Sequence, residues 1–343
     1  MLPGPGDALP LALAFLVPAG LVLLLTPRYI AFLKARGRTT NDAHKPGDVR
    51  VPTPAGPLII AGLVVGEVVA GAFYGTLLPA VLIVVILAAG GIGLYDDLRG
   101  LGGVVKPVLL AVVGLFVALA SHYSGVYQAV LYFPLFTQTN PHYIIFGLIV
   151  VASIPVSSNA FNMLDAFNGE ISGFTTIVSA ALVVAILLKA YALPGTTPGT
   201  IAIALPLLAV SAAFYYFNRY PSKIFDGDSG ALSFGALYVI LSIAGGVEIA
   251  ALVALIPAVI NSYYVLSSVR GLVERKNMAA RPTFLGKDMK LHASADPNAP
   301  TTLVRMVLLG GPLDERGLVN RILAITAFAA FLSVVTSVMT WLL

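Results

Sequence analysis

The sequence predicts an all-α polytopic membrane protein of about ten transmembrane helices, and three observations carry that prediction. Hydrophobic residues make up 58% of the 343 residues and charged residues only 10%, against roughly 25% charged in a soluble domain. The apolar residues gather into runs close to the length of about 20 that a helix needs to cross a bilayer. The basic residues collect in the connections on one side of those runs.

The runs lie at 9–33, 55–76, 78–95, 105–124, 142–163, 171–191, 199–217, 229–245, 247–269 and 319–342. The first has neither a basic leading region nor a small-residue cleavage site, so it reads as a retained helix. No soluble domain is expected at either end, and 1–343 reads as a single domain. If the runs alternate in direction, the connections 34–54, 96–104, 164–170, 218–228 and 270–318 share one side. Taken with their membrane-edge residues, they hold all of the 20 Lys and Arg except Lys189. The positive-inside rule makes that side cytoplasmic and puts both termini outside. The opposite side has short connections such as 192–198 and a longer aromatic, Pro-rich one at 125–141, which reads as an interfacial hairpin or re-entrant element. Trp341 and the aromatics from Tyr123 to Phe136 read as outer-interface anchors; a contact between two copies of the chain, a homodimer, would look the same.

Composition excludes several chemistries. With no cysteine, disulfides, thiolate metal sites and cysteine nucleophiles are out. His44, His122, His142 and His292 stand far apart, so no compact histidine motif for zinc is present. The net charge of +4 is accounted for by the membrane surface, and no nucleic-acid partner is expected.

Acidic residues are expensive at membrane depth and mark function where they occur. Asp96, Asp97, Asp165, Glu170, Asp226 and Asp228 all fall at helix ends on the cytoplasmic side, and only Glu67 falls in mid-helix. A secondary transporter, the rival class, would gather polar residues and helix breaks near the bilayer midplane within paired repeats. A scaffold would not need acidic pairs at several edges. The active site is therefore expected at the cytoplasmic face.

Three clusters carry the chemistry. In Gly93-Leu94-Tyr95-Asp96-Asp97-Leu98-Arg99, two adjacent carboxylates end a helix and Lys106 opens the next. Adjacent acids repel unless a cation intervenes, so the pair reads as a device for positioning a phosphate and its metal, with Lys106 neutralising phosphate charge. In the run Asn159 to Glu170, the polar residues Asn159, Asn162, Asp165 and Asn168 recur every third position. At about 100° per residue, Asn159 and Asn168 fall on opposite sides of a straight helix. The helix is therefore expected to end near Asp165, with Asn168 and Gly169 in a turn whose oxygens suit a hard cation such as Mg²⁺. Asn159 reads equally well as polar glue between helices. In Phe225-Asp226-Gly227-Asp228-Ser229-Gly230, just before an apolar helix, Ser229 suits an N-cap. The helix start with its glycines suits a phosphate, and Asp228 is the preferred metal ligand.

Two loops add recognition potential. The rigid, basic stretch Asn41 to Gly56 contains Asp42, His44, Lys45 and Pro52-Thr53-Pro54. The connection 270–318 carries Arg281-Pro282-Thr283-Phe284, Lys290-Leu291-His292 and Pro300 to Arg305, and is long enough to build a small structure over a site.

Taken together, Asp42, Lys45 and Pro52-Thr53-Pro54, Asp96-Asp97 with Lys106, the run ending Asp165-Ala166-Phe167-Asn168-Gly169, and Phe225 to Gly230 resemble the polyprenyl-phosphate N-acetylhexosamine-1-phosphate transferase family, of the glycosyltransferase family 4 type. The resemblance covers nearly the whole chain. It implies transfer of N-acetylglucosamine-1-phosphate from UDP-N-acetylglucosamine to a membrane polyprenyl or dolichyl phosphate with release of UMP. That is the first step of lipid-linked glycan assembly, as in N-glycosylation, and it depends on Mg²⁺, with Mn²⁺ as a substitute. Carried over by motif, Asn168 and Asp228 would hold the metal, Asp96 and Asp97 would orient the acceptor phosphate, and Lys106 would bind phosphate. Asp165 joins the catalytic set, and Lys45, Asn162, Asn168, Arg281 and His292 the substrate-binding set. Bacterial cell-wall members, which use UDP-N-acetylmuramoyl-pentapeptide, carry a histidine-rich stretch in the last loop. The single His292 resembles the eukaryotic and archaeal branch instead, although Ala293 stands where that branch has arginine. The implied location is the plasma membrane of a prokaryote or the endoplasmic reticulum membrane of a eukaryote.

Overall fold

The computed structural model describes residues 2–45, 47–124, 129–135, 138–193, 197–271, 278 and 280–343, without the side chains of 122–124. The side chain of Tyr123 and the whole of Phe136, two of the expected anchors, therefore lie outside what is described.

The elements follow the apolar runs. They are α1 (Ala8–Ala35), a hairpin of β1 (Thr39–Asn41) and β2 (Arg50–Pro52), α2 (Gly56–Tyr74), α3 (Leu78–Arg99), α4 (Val105–Ser124), α5 (Tyr143–Leu164), α6 (Glu170–Ala192), α7 (Pro198–Asn218) and α8 (Gly227–Gly245). There follow α9 (Glu248–Ala254), α10 (Ile256–Val269), a hairpin of β3 (Thr283–Leu285) and β4 (Leu291–Ala293), α11 (Leu303–Leu308) and α12 (Glu315–Trp341). Pro57, Pro79, Pro198 and Pro257 stand in the first turns of their helices, where the missing N–H has no helical partner to lose.

Among the described residues, 8 helices are long and apolar enough to cross a membrane, or 9 if α9 and α10, bent by 64°, form one span. The described apolar part of α4, Val105–Ser121, falls short of that length. Nine of the ten expected segments correspond to single helices and the tenth, 247–269, is broken into α9 and α10; the counts part at that break and at α4.

Helix α8 is the central pillar, packed against α2, α3, α5, α6, α7 and α9 and buried along most of its length. Small residues let its neighbours approach. A Cβ added to Gly235 would sit 2.7 Å from Ser158 Cα, and Ser157 on α5 donates its hydroxyl to the Gly235 carbonyl at 2.8 Å. Close approach through small residues, with a polar group bridging, is how helices associate where lipid offers no hydrophobic drive.

Two positions that the sequence left open find structural explanations. Lys189, the one cation away from the basic end, donates to the carbonyls of Gly245 and Gly246 at 2.9 and 3.4 Å. It thus closes the free C-terminal carbonyls of α8, with its ammonium 5.1 Å from the Tyr132 ring and 5.4 Å from the Trp341 ring. Asn159 donates to the Pro155 carbonyl of its own helix at 2.7 Å, so its hydrogen bond lies within α5 and not between helices. The connection after α4 forms an antiparallel bridge between Leu131 and Thr139, in keeping with a hairpin.

Replacing Gly235 by Val forces α5 and α8 apart. A loss of about 1–3 kcal/mol, read as a lowered melting temperature by circular dichroism in detergent, is the expected result.

Candidate active site

The basic end of the bundle collects the connections α1–α2, α3–α4, α5–α6, α7–α8 and α10–α12. Helix α3 ends with Asp96 and Asp97, and the two carboxylates diverge. Asp97 accepts the Asp228 N–H at 2.8 Å on one oxygen, and the Ser229 N–H at 3.0 Å and hydroxyl at 2.6 Å on the other. It caps α8 from a neighbouring helix, satisfying amides that have no helical partner and placing negative charge at the positive end of the helix dipole. Ser229, expected as the N-cap, donates to that cap instead. The approach needs Gly227: its φ is +73°, and a Cβ there would lie 2.7 Å from Pro54 and 2.8 Å from an Asp97 oxygen.

Asp96 turns the other way. It accepts the Leu101 N–H and an ion pair from Lys106 on α4. The same Lys106 ammonium reaches Asp228 at 2.5 Å, and Asn162 on α5 donates to that Asp228 oxygen at 3.4 Å. One cation thus joins the ends of three helices, α3, α4 and α8. The Asp228 side chain remains 31% exposed, so it is open to a ligand. Asp226, the other aspartate of the motif, is buried. Burial pushes its carboxyl well above the usual carboxylate range, with Asp165, Asp97 and Asp228 acting the same way. The two aspartates thus differ in exposure, Asp226 closed off and Asp228 partly open.

Helix α5 ends at Leu164, with Asp165 as its C-cap, close to the expected break. The break sends Asn168 elsewhere. Its amide nitrogen donates to Asp42 at 3.0 Å and to Glu315, and its backbone N–H donates to Glu315 at 3.0 Å. Lys45 pairs with Asp42 at 2.6 Å. Burial would raise the Asp42 carboxyl, but hydrogen bonds from Lys45 and Asn168 outweigh it and hold the group below its ordinary value. Hence Asn162 meets Asp228, while Asn168 belongs to a neighbouring cluster with Asp42, Lys45 and Glu315. Within that cluster the buried carbonyl oxygen Oδ1 of Asn168 has no partner among the described residues. His44 stacks on Phe167 at 4.2 Å beside it. Asn168 also lines a cleft of about 450 Å³ whose walls include Tyr215, Tyr220, Arg219, Lys223 and Arg316.

The remaining motifs hold these parts in place. Pro52 accepts the Phe225 N–H at 2.9 Å, and the N–H groups of Ala55 and Gly56 donate to the carbonyls of Phe225 and Asp226 at 2.8 and 2.9 Å. The proline-rich segment is therefore the seat of the Asp226–Asp228 turn. In the long connection, His292 contacts Asp288 at 2.9 Å and stacks on Phe284. Arg281 is exposed.

Sequence reasoning missed four organisers. Arg305 donates to the carbonyls of Ser294, Asp296, Ala299 and Pro300. Asn261 on α10 joins Met163 O to Leu303 N. Asn218 takes the Ser172 hydroxyl and reaches the Ile224 carbonyl. Glu315 receives Asn168. Asn261, Asn218 and Glu315 each take a partner more than 40 residues away and belong to no short motif, so only the burial of a polar residue could have flagged them; Arg305, within the Pro300 to Arg305 run, gathers carbonyls 5–11 residues before it.

The model of glycosyl transferase family 4 matches residues 79–246, a span that contains Asp96, Asp97, Lys106, Asn162, Asn168 and Asp228. A Saccharolobus solfataricus protein provisionally named a UDP-N-acetylglucosamine–dolichyl-phosphate N-acetylglucosaminephosphotransferase is 30% identical over 224 residues, 64% of this chain and 67% of that one. The chain belongs to glycosyl transferase family 4. A protein of the same provisional name from Sulfolobus acidocaldarius is 27% identical over 96% of both chains. A protein of Methanocaldococcus jannaschii, provisionally named a glycosyltransferase, is 28% identical over 86% of this chain and 87% of its own. As a member of this family, with its apolar helices, the chain is an integral membrane protein and a phosphosugar transferase acting on a polyprenyl phosphate.

Asp97→Ala removes three hydrogen bonds from the first turn of α8. A stability loss of about 1–3 kcal/mol is expected in thermal denaturation, larger than that of Asp96→Ala, whose partner Lys106 keeps Asp228.

Proposed function

We propose that the chain transfers N-acetylglucosamine-1-phosphate from UDP-N-acetylglucosamine to a polyprenyl or dolichyl phosphate at the cytoplasmic face, releasing UMP and opening the assembly of a lipid-linked glycan. The observation that carries the reading is the convergence of Asp96, Lys106, Asn162 and Asp228 at the basic end of the bundle. The positive-inside rule supports assigning that end to the cytoplasm, and the names of the archaeal relatives support the donor and acceptor.

The residues suit a magnesium ion in kind. Asp228 and Asn162 offer hard oxygens, and Mg²⁺ typically takes one or two carboxylates and completes its shell with water and substrate phosphates. The described residues hold no group of three or more His, Cys, Asp and Glu that would make an all-protein cage, which fits a metal shared with substrate. We assign the protein ligands to Asp228 and Asn162, with Asn168 turned to the donor. When bound, the metal would neutralise diphosphate charge and stabilise the charge that develops during transfer.

The chain's own groups do the rest. An acceptor phosphate monoester has a second pKa of about 6, so near neutrality it is largely a dianion that needs little help from a base. Its difficulty is repulsion from the donor diphosphate, and the Lys106 ammonium lowers that barrier. Asp96 holds Lys106 in place, while Asp97 fixes the start of α8 and with it Asp228. The acceptor oxygen attacks the sugar-bearing phosphorus, and UMP leaves. The free carbonyl of Asn168 is suited to accept a hydrogen bond from a ring N–H of the base, with the tyrosines and cations of the adjoining cleft beside it. His292 and Arg281, on the 270–318 loop, would meet the sugar and diphosphate.

The test is UMP release from purified protein given UDP-N-acetylglucosamine, polyprenyl phosphate and Mg²⁺. Turnover should require both lipid and metal and should vanish with EDTA. Asp228→Ala and Asn162→Ala should each lose more than about 100-fold, beyond the roughly 10–100-fold typical of groups that only support a metal ligand. Asn168→Ala should act mainly on the KM for the donor. Full activity in Asp228→Ala would overturn the metal assignment.

A further inference from the structure

The flank of α1 and α3 carries a second concavity, of about 140 Å³, lined by none of the groups that meet at Lys106. Tyr29, Leu33, Leu94 and Leu98 line its apolar floor, and Arg36 and Arg38 stand among its walls. Both arginines are exposed. Neither lies within 4.0 Å of a carboxylate among the described residues. Arg36 is the C-cap of α1, so the cations sit where the apolar helix ends. Phe32 and Leu98 beside them are 47% and 48% exposed, leaving an apolar path that leads down from the cations.

We propose that this cavity binds the headgroup of an anionic phospholipid of the surrounding bilayer, with its phosphodiester on Arg36 and Arg38 and a hydrocarbon chain lying on Phe32 and Leu98. Guanidinium groups match phosphate oxygens in geometry as well as charge. A cavity of roughly 150 Å³ holds a molecule the size of benzene, so this one takes a phosphate and its first carbons but not a whole lipid, whose chains must run out along the helix surface. Basic residues that served only to orient the chain in the membrane would need no concavity between them. A free phosphate would satisfy the cations and leave the apolar floor bare. The acceptor lipid has its own groups, since the cavity shares no lining residue with Asp96, Lys106, Asn162 or Asp228.

Occupancy has a route to the rest of the molecule. Pro54 forms part of the cavity wall and accepts the Tyr29 hydroxyl at 3.2 Å. The next two residues, Ala55 and Gly56, hold the turn that presents Asp228. A lipid seated here braces α1 against that seat.

Native mass spectrometry of the full chain in detergent, titrated with phosphatidylglycerol, tests the site without reference to turnover. The wild type should retain one phosphatidylglycerol that Arg36→Gln/Arg38→Gln binds about tenfold or more weakly, a change of about 1.4 kcal/mol. The charge-matched Arg28→Gln/Lys34→Gln, which leaves the cavity intact, should keep it. Matching melting curves for the two variants would show that both are folded; if the cavity variant is not, Leu98→Gln replaces it and should show the same loss. Equal retention by both double variants, or equal loss from both, overturns the proposal. Displacement of the lipid by millimolar inorganic phosphate would identify a free-phosphate site, and displacement by polyprenyl phosphate at equal concentration an acceptor site; either result overturns it as well.

Discussion

The contact between the end of α3 and the start of α8 is the constraint on which the rest of the basic end depends. Helix α8 lies in the centre of the bundle, and its first amides have no partner within the helix. Asp97 supplies the missing acceptors, with three hydrogen bonds of 2.6–3.0 Å. That interaction places Asp228 at a fixed position beside Asp96, where Lys106 can reach both. Without it two carboxylates would face one another with no defined separation, and the energetic penalty of like charges in a poorly solvated place is large. The adjacent pair Asp96-Asp97 is stable because its members face different partners.

Around this contact the fold divides its work by depth. The middle of the bundle is held by small residues and short hydroxyl-to-carbonyl bonds, as at Ser157 and Gly235. Glu67 stands there, fully buried, with neither carboxylate oxygen bonded among the described residues. The other acids described here at membrane depth lie at helix ends. That distribution suits chemistry at a surface, where a charged donor arrives from water and a lipid acceptor from the side.

The loops of the basic end are braced more than their composition suggests. Arg305 draws four carbonyls of one connection together, and Asn261 ties the start of α11 to the end of α5. The chain that follows the hairpin of His292 is therefore tied back to α11. On the α1–α2 side the proline-rich segment plays the matching part, since its backbone pairs with that of Phe225 and Asp226.

The sequence by itself determined the helices, their order and the end of the bundle where the acids collect. A bilayer demands long apolar runs, and charges left at their ends can be read directly. It also broke α5 near Asp165, because helical geometry forbids one straight helix from aiming four residues spaced by three at one ligand. What it could not decide was which polar group meets which. Asn162 and Asn168 are alike in type and both follow the same spacing. Only packing, through the break after Leu164, sends the first to Asp228 and the second to Asp42 and Glu315. The same holds for Asp97, whose partner lies 131 residues away. Local rules such as helix period, capping preference and hydropathy act over a few residues, whereas the pairing of buried polar groups is settled by contacts that exist only when the helices are assembled.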